Sequence, residues 1–206
     1  MTDRKPDLGA AYALQGRDDN LKLYADWAES YDSDFAQDMD YRLPALVADA
    51  FARIGRGPVL DLGAGTGLCG LALARQGIGP VDGTDLSTEM LQQAEAKGVY
   101  RRCFTGDLLG RLPVGDGAYA GAVSSGTFTH GHVGPEALTE VLRVVAPGGW
   151  VVLSINAAHY AAHGFEATLA TLPITDLTLP EQAIYGPGGS SEHRDDTAFL
   201  ATFRKA

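Results

Sequence analysis

Residues 59–70 read VLDLGAGTGLCG, a short apolar run entering a glycine-rich turn. Such a turn lets backbone amides approach a nucleotide-like ligand, because glycine has no Cβ and accepts positive φ. Two registers compete. Gly65, Gly67 and Gly70 form G-x-G-x-x-G, the dinucleotide fingerprint, whereas Asp61, Gly63, Gly65 and Gly67 form D-x-G-x-G-x-G. In a dinucleotide fold the first glycine follows the strand directly. The strand here is VLDL, which makes that glycine Gly63; the sixth position is then Leu68 and the fingerprint fails. It survives only from Gly65, which strands two extra residues in the turn. The second register needs no such slip. Asp85, at the end of the next apolar run, suits a pair of ribose hydroxyls in either register.

Other residues add chemistry. TGDL at 105–108 places Asp107 just past a third apolar run, where a carboxylate can meet an adenine amino group. SSGTFTHGHVGPE at 124–136 carries His130 and His132. Imidazole titrates near neutral pH. His130, nearer the strand end, is therefore expected to face the pocket as general base or acceptor-orienting group. His132, just before the helix opened by Pro135, is expected to pack or cap. Ser154, Asn156, His159 and Tyr160 follow the fifth strand and either line an acceptor site or begin a loop. Tyr185 and His193 flank the loop GPGGSS. No metal site emerges, because the acids near the turn already have ligand-binding roles.

The bulk numbers bound the reading. The chain has 206 residues, of which 45% are hydrophobic, enough for one domain with a real core. Its net charge is −10, from 26 acidic and 16 basic side chains, and no basic run offsets it. Nucleic acid is thus an unfavourable partner. Cys69 and Cys103 form no C-x-x-C pair and read as free thiols. Neither a signal peptide nor an apolar run of membrane-spanning length is visible. The expectation is a cytoplasmic protein without membrane contact, monomeric or homodimeric.

These residues need elements to hold them. A single domain over 1–206 is expected, with 1–18 a mobile arm, 19–55 cap helices and 56–206 the binding core. Tyr24, Trp27, Ala28, Tyr31 and Phe35 share one helical face, with Trp27 turned to the core and Tyr31 to the pocket; Tyr41 is open between the same two roles. A second helix follows from Leu43 to Ile54. Strands are expected at 59–62, 80–85, 99–104 and 118–124 and in WVVLSI, alternating with helices at 68–76, 87–98 and 135–145. That alternation implies a parallel sheet covered on both faces. A helix over 160–172 is followed by the extended TDLTLPEQAIYG, a glycine loop and the strand TAFLATF, which pair antiparallel.

Four ordered motifs, VLDLGAGTG, GTDLSTEML, FTGDL and VLRVVAPGGWVVLS, resemble the class I S-adenosylmethionine (SAM)-dependent methyltransferases over about residues 22–204. YADWAESYDSDF, YRLPALVA and SSGTFTHGHVGPEAL resemble a branch related to the methyltransferase-like protein of the Williams–Beuren region. The resemblance implies a seven-stranded Rossmann-like sheet, mostly parallel, with an antiparallel C-terminal hairpin and helices on both faces. It implies SAM as cofactor, S-adenosylhomocysteine (SAH) as product and no metal. Asp61, Gly63, Ala64, Gly65 and Gly67 would hold the methionine end; Asp85 the ribose; Leu86, Met90, Gly106, Asp107 and Leu108 the adenine; and Ser124 the floor. Tyr24, Tyr31, His130, Asn156 and Tyr160 would meet a small-molecule acceptor, with Tyr31 and His130 nearest the reaction. The segment 124–127 reads SSGT in place of the N/D-P-P-Y of amide-nitrogen methylases, which argues against such a target. Three other readings stay open: an NAD(P)-dependent oxidoreductase, a non-catalytic SAM-binding module and a protein methyltransferase.

Overall fold

The computed structural model describes residues 17–28, 30–37, 39–188 and 194–206. Residues 1–16 of the expected arm, and His193, lie outside them; Arg17 and Asp18 already belong to the first helix.

Eight strands form one sheet: β1 (Val59–Leu62), β2 (Val81–Asp85), β3 (Arg102–Thr105), β4 (Tyr119–Phe128), β5 (Val145–Asn156), β6 (Ile174–Thr178), β7 (Glu181–Ala183) and β8 (Thr197–Lys205). Their lateral order is β3-β2-β1-β4-β5-β8-β6, with β7 also on β8. The first five are parallel, and β8 runs antiparallel to β5. Both β6 and β7 pair antiparallel with β8, one after the other along its outer edge. The sheet is therefore seven strands wide, as expected, with a split edge. Pro180 sits at the split, where a residue without an N–H interrupts the ladder on the edge strand.

Side chains alternate across the sheet with period two. Leu60 and Leu62 of β1 face one core, together with Val151 and Leu153 of β5. That core is closed by α5 (Leu138–Val144) and α7 (Phe165–Thr171). Val59, Val123 and Val152 face the other, under α2 (Leu43–Ala52) and α3 (Leu68–Arg75). α1 (Arg17–Trp27) precedes them in the chain, and α4 (Thr88–Ala96) and α6 (Ala157–Ala162) lie between them.

The sequence expectations shift in three places. The aromatic face from Tyr24 does not ride one helix: α1 stops at Trp27, and Tyr31–Gln37 is a π-helical segment. Instead of one helix over 160–172 there are two, because Gly164 is left-handed at φ 71° and breaks the run. Finally, β4 continues through SSGTF to Phe128, with a shift of register against β5 between Ser124 and Phe128.

The N-terminal elements cap one end of the sheet. Trp27, Met39 and Leu43 pack against Ile184, Tyr185 and Ala198 in a third, smaller core. An isolated bridge joins Tyr41 to Tyr185, and Arg42 N–H donates to the Ile184 carbonyl at 2.9 Å.

Candidate active site

The glycine turn leaves β1 with Gly63, Gly65 and Gly67 at φ 66°, 54° and 92°. Each glycine answers a different constraint. A Cβ on Gly63 would collide with the Thr127 side chain of β4. At Gly65 it would meet nothing within 4 Å, so this glycine opens onto free space. Gly67 caps α3 in the left-handed region and lies against Ala94 and Tyr100. Gly70, inside α3, makes room for the Tyr100 ring, into which a Cβ there would run. Gly70 is therefore explained by packing of α3 against Tyr100.

Two carboxylates flank the turn. Asp85 ends β2; its Oδ2 accepts from Gly65 N–H at 2.8 Å and its Oδ1 from Ser87 N–H at 2.9 Å. Burial raises its carboxyl above the ordinary value, against three backbone hydrogen bonds that lower it. Asp61 is fully buried in β1. Its Oδ2 accepts from the Tyr100 hydroxyl at 2.7 Å, and its Oδ1 has no hydrogen-bond partner. Burial pushes the Asp61 carboxyl up to about 7; the charge of Asp85 adds to this, while the Tyr100 hydrogen bond opposes it.

A cavity of about 350 Å³ opens along the C-terminal ends of β3, β2, β1 and β4. Ligands bind at this edge in open parallel sheets. The expected residues Gly63, Ala64, Gly65, Asp85, Leu86 and Met90 line it, as do Gly106, Asp107 and Leu108 beyond β3. Tyr24 and Tyr31 line it from the N-terminal cap. Ser87 caps α4 by accepting from Met90 N–H at 3.1 Å, which brings Met90 to the wall. Asp107 forms its own turn, accepting from Leu109 N–H at 2.9 Å.

Six expected residues are not in the lining. Asp61 is covered by the turn it precedes, and Gly67 is committed to the cap of α3. Ser124 is fully buried, its hydroxyl donating to the Leu62 carbonyl at 2.7 Å and stitching β4 to β1. Asn156 caps α6, accepting from His159 N–H at 3.0 Å. Tyr160 stacks on Phe165 and meets Phe199 at a tilt, at ring distances of 5.8 and 4.8 Å. His130 points to α6, its ring 5.5 Å from that of His159.

The two histidines thus exchange their expected places, because His132 lines the cavity. Its Nδ1 lies 2.9 Å from the His130 carbonyl, and its ring 5.4 Å from Tyr24. A carbonyl only accepts, so Nδ1 carries the proton and Nε2 keeps its lone pair. Burial lowers the imidazole to about 4, so it is uncharged at neutral pH.

Several contributors were not singled out from the sequence. Ser125, Gly126 and Thr127 line the cavity because β4 runs on past Ser124. Tyr100 wedges against Gly67, Gly70 and Gly83, and those three glycines are the one sequence sign of it. A clasp holds the cap to the turn: Asp32 accepts from the Thr66 hydroxyl at 2.5 Å and pairs with Lys97 at 2.7 Å, and Lys97 also donates to the Thr66 carbonyl at 2.6 Å. Among the described residues no group of three or more His, Cys, Asp or Glu could hold a metal ion, and no helix is long and apolar enough to cross a membrane.

The residues present fit SAM. Gly65 offers a cradle that a Cβ would fill, Asp85 a carboxylate for the ribose, and Leu86 and Met90 an apolar wall for the adenine. The orphaned Asp61 Oδ1 leaves an unpartnered polar atom beside the turn.

Comparisons with known proteins agree with this geometry. A family described as a methyltransferase domain matches residues 59–149. The human methyltransferase-like protein 27 is 34% identical over 171 residues, spanning 79% of this chain and 68% of its own. A Thermotoga maritima SAM-dependent methyltransferase, described as a possible histamine N-methyltransferase, superposes with a TM-score of 0.66 at 14% identity, covering 90% of this chain and all (100%) of its own. A TehB-like SAM-dependent methyltransferase from Corynebacterium glutamicum gives a TM-score of 0.63 at 23% identity, over 90% of this chain and 99% of its own. At those identities the two structures speak for the fold, while the human relative carries the family. The chain belongs to the class I SAM-dependent methyltransferases.

Proposed function

We propose that this protein transfers the methyl group of SAM to a small-molecule acceptor. The observation that carries the reading is the single cavity that starts at Asp85 and Asp107 and continues to Tyr24, Tyr31 and His132. One end suits ribose and adenine. The other is roofed by the N-terminal cap, which the Asp32 clasp fixes to the glycine turn. A roofed end admits a compact acceptor far better than a folded chain or a duplex. The net charge of −10 further disfavours polyanions. The family relation supports a methyl acceptor of some kind, and the name of the Thermotoga neighbour points to a small one.

When bound, SAM supplies an electrophilic methyl carbon on a positively charged sulfur. The chain's own part is placement. Asp85 accepts ribose hydroxyls, the amides of the 63–67 turn approach the methionine end, and the cap excludes water from the acceptor end. Bringing nucleophile and methyl to near-attack distance can supply much of the rate enhancement.

The test is turnover in a fractionated metabolite extract supplied with SAM, read as SAH release and as the mass gain of one CH2 on a product. SAH release that follows the low-molecular-mass fraction is expected. Release only with the macromolecular fraction would show a protein or nucleic acid acceptor instead.

A further inference from the structure

The acceptor end of the cavity has a composition that selects a chemical class. Among the described residues two charged side chains line the cavity, Asp85 and Asp107, and both lie at its β2–β3 end. No described Lys or Arg lines it. Lys97, the cation near the glycine turn, is held by Asp32 and the Thr66 carbonyl. A carboxylate or phosphate on the acceptor would thus meet no counter-charge among the described residues, in a protein of net charge −10.

The walls there are aromatic. Tyr24 lies 6.2 Å from Tyr31, and Trp27 packs edge-on to Tyr31 at 5.1 Å, fixing its ring. Tyr41 closes in over Gly126, where a Cβ would collide with its hydroxyl. Set among these rings, His132 brings one directed polar atom. Its Nδ1–H is committed to the His130 carbonyl, so Nε2 is the ring's remaining polar atom and can only accept. Its neutrality has a use, because an imidazolium here would repel the sulfonium of SAM.

We infer that the acceptor is an uncharged aromatic molecule carrying one O–H, S–H or N–H, held against the rings of Tyr24 and Tyr31 with that hydrogen donated to His132 Nε2. The hydrogen bond turns a lone pair of the same heteroatom toward the methyl carbon. As the new heteroatom–carbon bond forms and the carbon–sulfur bond breaks, the heteroatom's proton passes to Nε2, and from there to solvent after SAH and product leave. His132 is on this view a catalytic residue, and the tyrosines are positioning residues.

The inference rests on the cavity being a SAM site, and the experiment separates the two. SAH binding is measured by calorimetry first. 2-Naphthol, 2-naphthoate and 2-methylnaphthalene are then titrated into the SAH-loaded and the free protein, followed by ligand-observed NMR. The naphthol is expected to bind, with the naphthoate at least about tenfold weaker. His132→Phe should weaken naphthol about tenfold, His132→Gln, which restores an acceptor, by about threefold or less, and neither should move SAH affinity by more than about twofold. Binding of 2-methylnaphthalene, which has no donor, should be unchanged by His132→Phe; this separates loss of the hydrogen bond from damage to the pocket. Absence of SAH binding alone strikes the cofactor reading. Naphthoate binding as well as naphthol, naphthol binding to neither form, or naphthol indifferent to His132→Phe overturns the inference.

Discussion

Asp85→Ala probes the cofactor end of the cavity most sharply. The carboxylate already accepts from Gly65 N–H at 2.8 Å and Ser87 N–H at 2.9 Å, yet it still lines the cavity. Its remaining lone pairs are the ones offered to ribose hydroxyls. A hydrogen bond to a charged acceptor contributes about 1.5–3 kcal/mol, and each 1.4 kcal/mol or so is tenfold in affinity. SAH should therefore bind about ten- to a hundredfold more weakly. The backbone amides that donate to it, Gly65 and Ser87 among them, also lose their partner, at about 1 kcal/mol each, so the melting temperature should drop by several degrees. Calorimetry is accordingly run well below the lowered transition. Glu89→Ala is the control: Glu89 is exposed at the start of α4, bonds only the Ser87 hydroxyl at 3.0 Å, and does not line the cavity. Its SAH affinity should stay within about twofold of the parent. Burial raises the Asp85 carboxyl, so affinity should also fall on acidification earlier than an ordinary carboxylate would give. An Asp85→Ala protein with unchanged SAH affinity would refute the assignment of the ribose to β2.

Further outcomes follow from the same geometry. Gly65→Ala places a Cβ in open cavity space at φ 54°, so it should weaken SAH binding at least tenfold for about 1–2 kcal/mol of backbone strain. Gly70→Ala drives a Cβ into Tyr100 and should instead lower stability by about 1–3 kcal/mol, read by thermal melts. The Asp61 carboxyl sits at about 7 in the folded chain against an ordinary 3.8. The folded state therefore holds this proton more tightly, and the contribution is full below pH 3.8 and is lost as pH rises through about 7. In the ligand-free protein Asp61→Asn should flatten that decline across the interval, as seen in melting temperature against pH. Asp32→Asn loosens the clasp on Thr66 and Lys97; stopped-flow should show SAH leaving about two- to fivefold faster, the scale of a part-exposed ion pair.

Much of this was legible from local pattern. VLDL reads as a buried strand and is one, with all four residues buried. The register of the following glycines favours D-x-G-x-G-x-G over the dinucleotide reading before any contact is known, and packing on Tyr100 accounts for Gly70, the glycine that completes the competing fingerprint. Asp85 was placed by its position at a strand end, a rule of parallel sheets that needs no side-chain detail. What failed depended on extended backbone that looks like loop. SSGTF is rich in small polar residues, yet it continues β4 with Gly126 at φ 81° and a shifted register, and this moves the lining from Ser124 to Ser125–Thr127. The same shift carries through to the histidines. Two residues decide which imidazole faces the cavity, and an irregular stretch between strand and helix gives no period from which to count. Tyr100 is invisible for another reason: its partners come from β1 (Asp61), α3 (Gly67 and Gly70) and β2 (Gly83), so the sequence shows only three scattered glycines. Asn156 and Tyr160 are expected as acceptor contacts because polar and aromatic residues after a strand suit a site, with the start of a loop as the alternative; neither reading includes a helix cap. Here a helix starts instead, with Asn156 as its cap.

The central claim is that the glycine turn and Asp85 hold SAM and not a dinucleotide. Parallel calorimetric titrations with SAH and with NADH test it most directly. SAH should bind with one site per chain, while NADH gives no heat. NADH binding at micromolar concentration with no SAH heat would contradict the account.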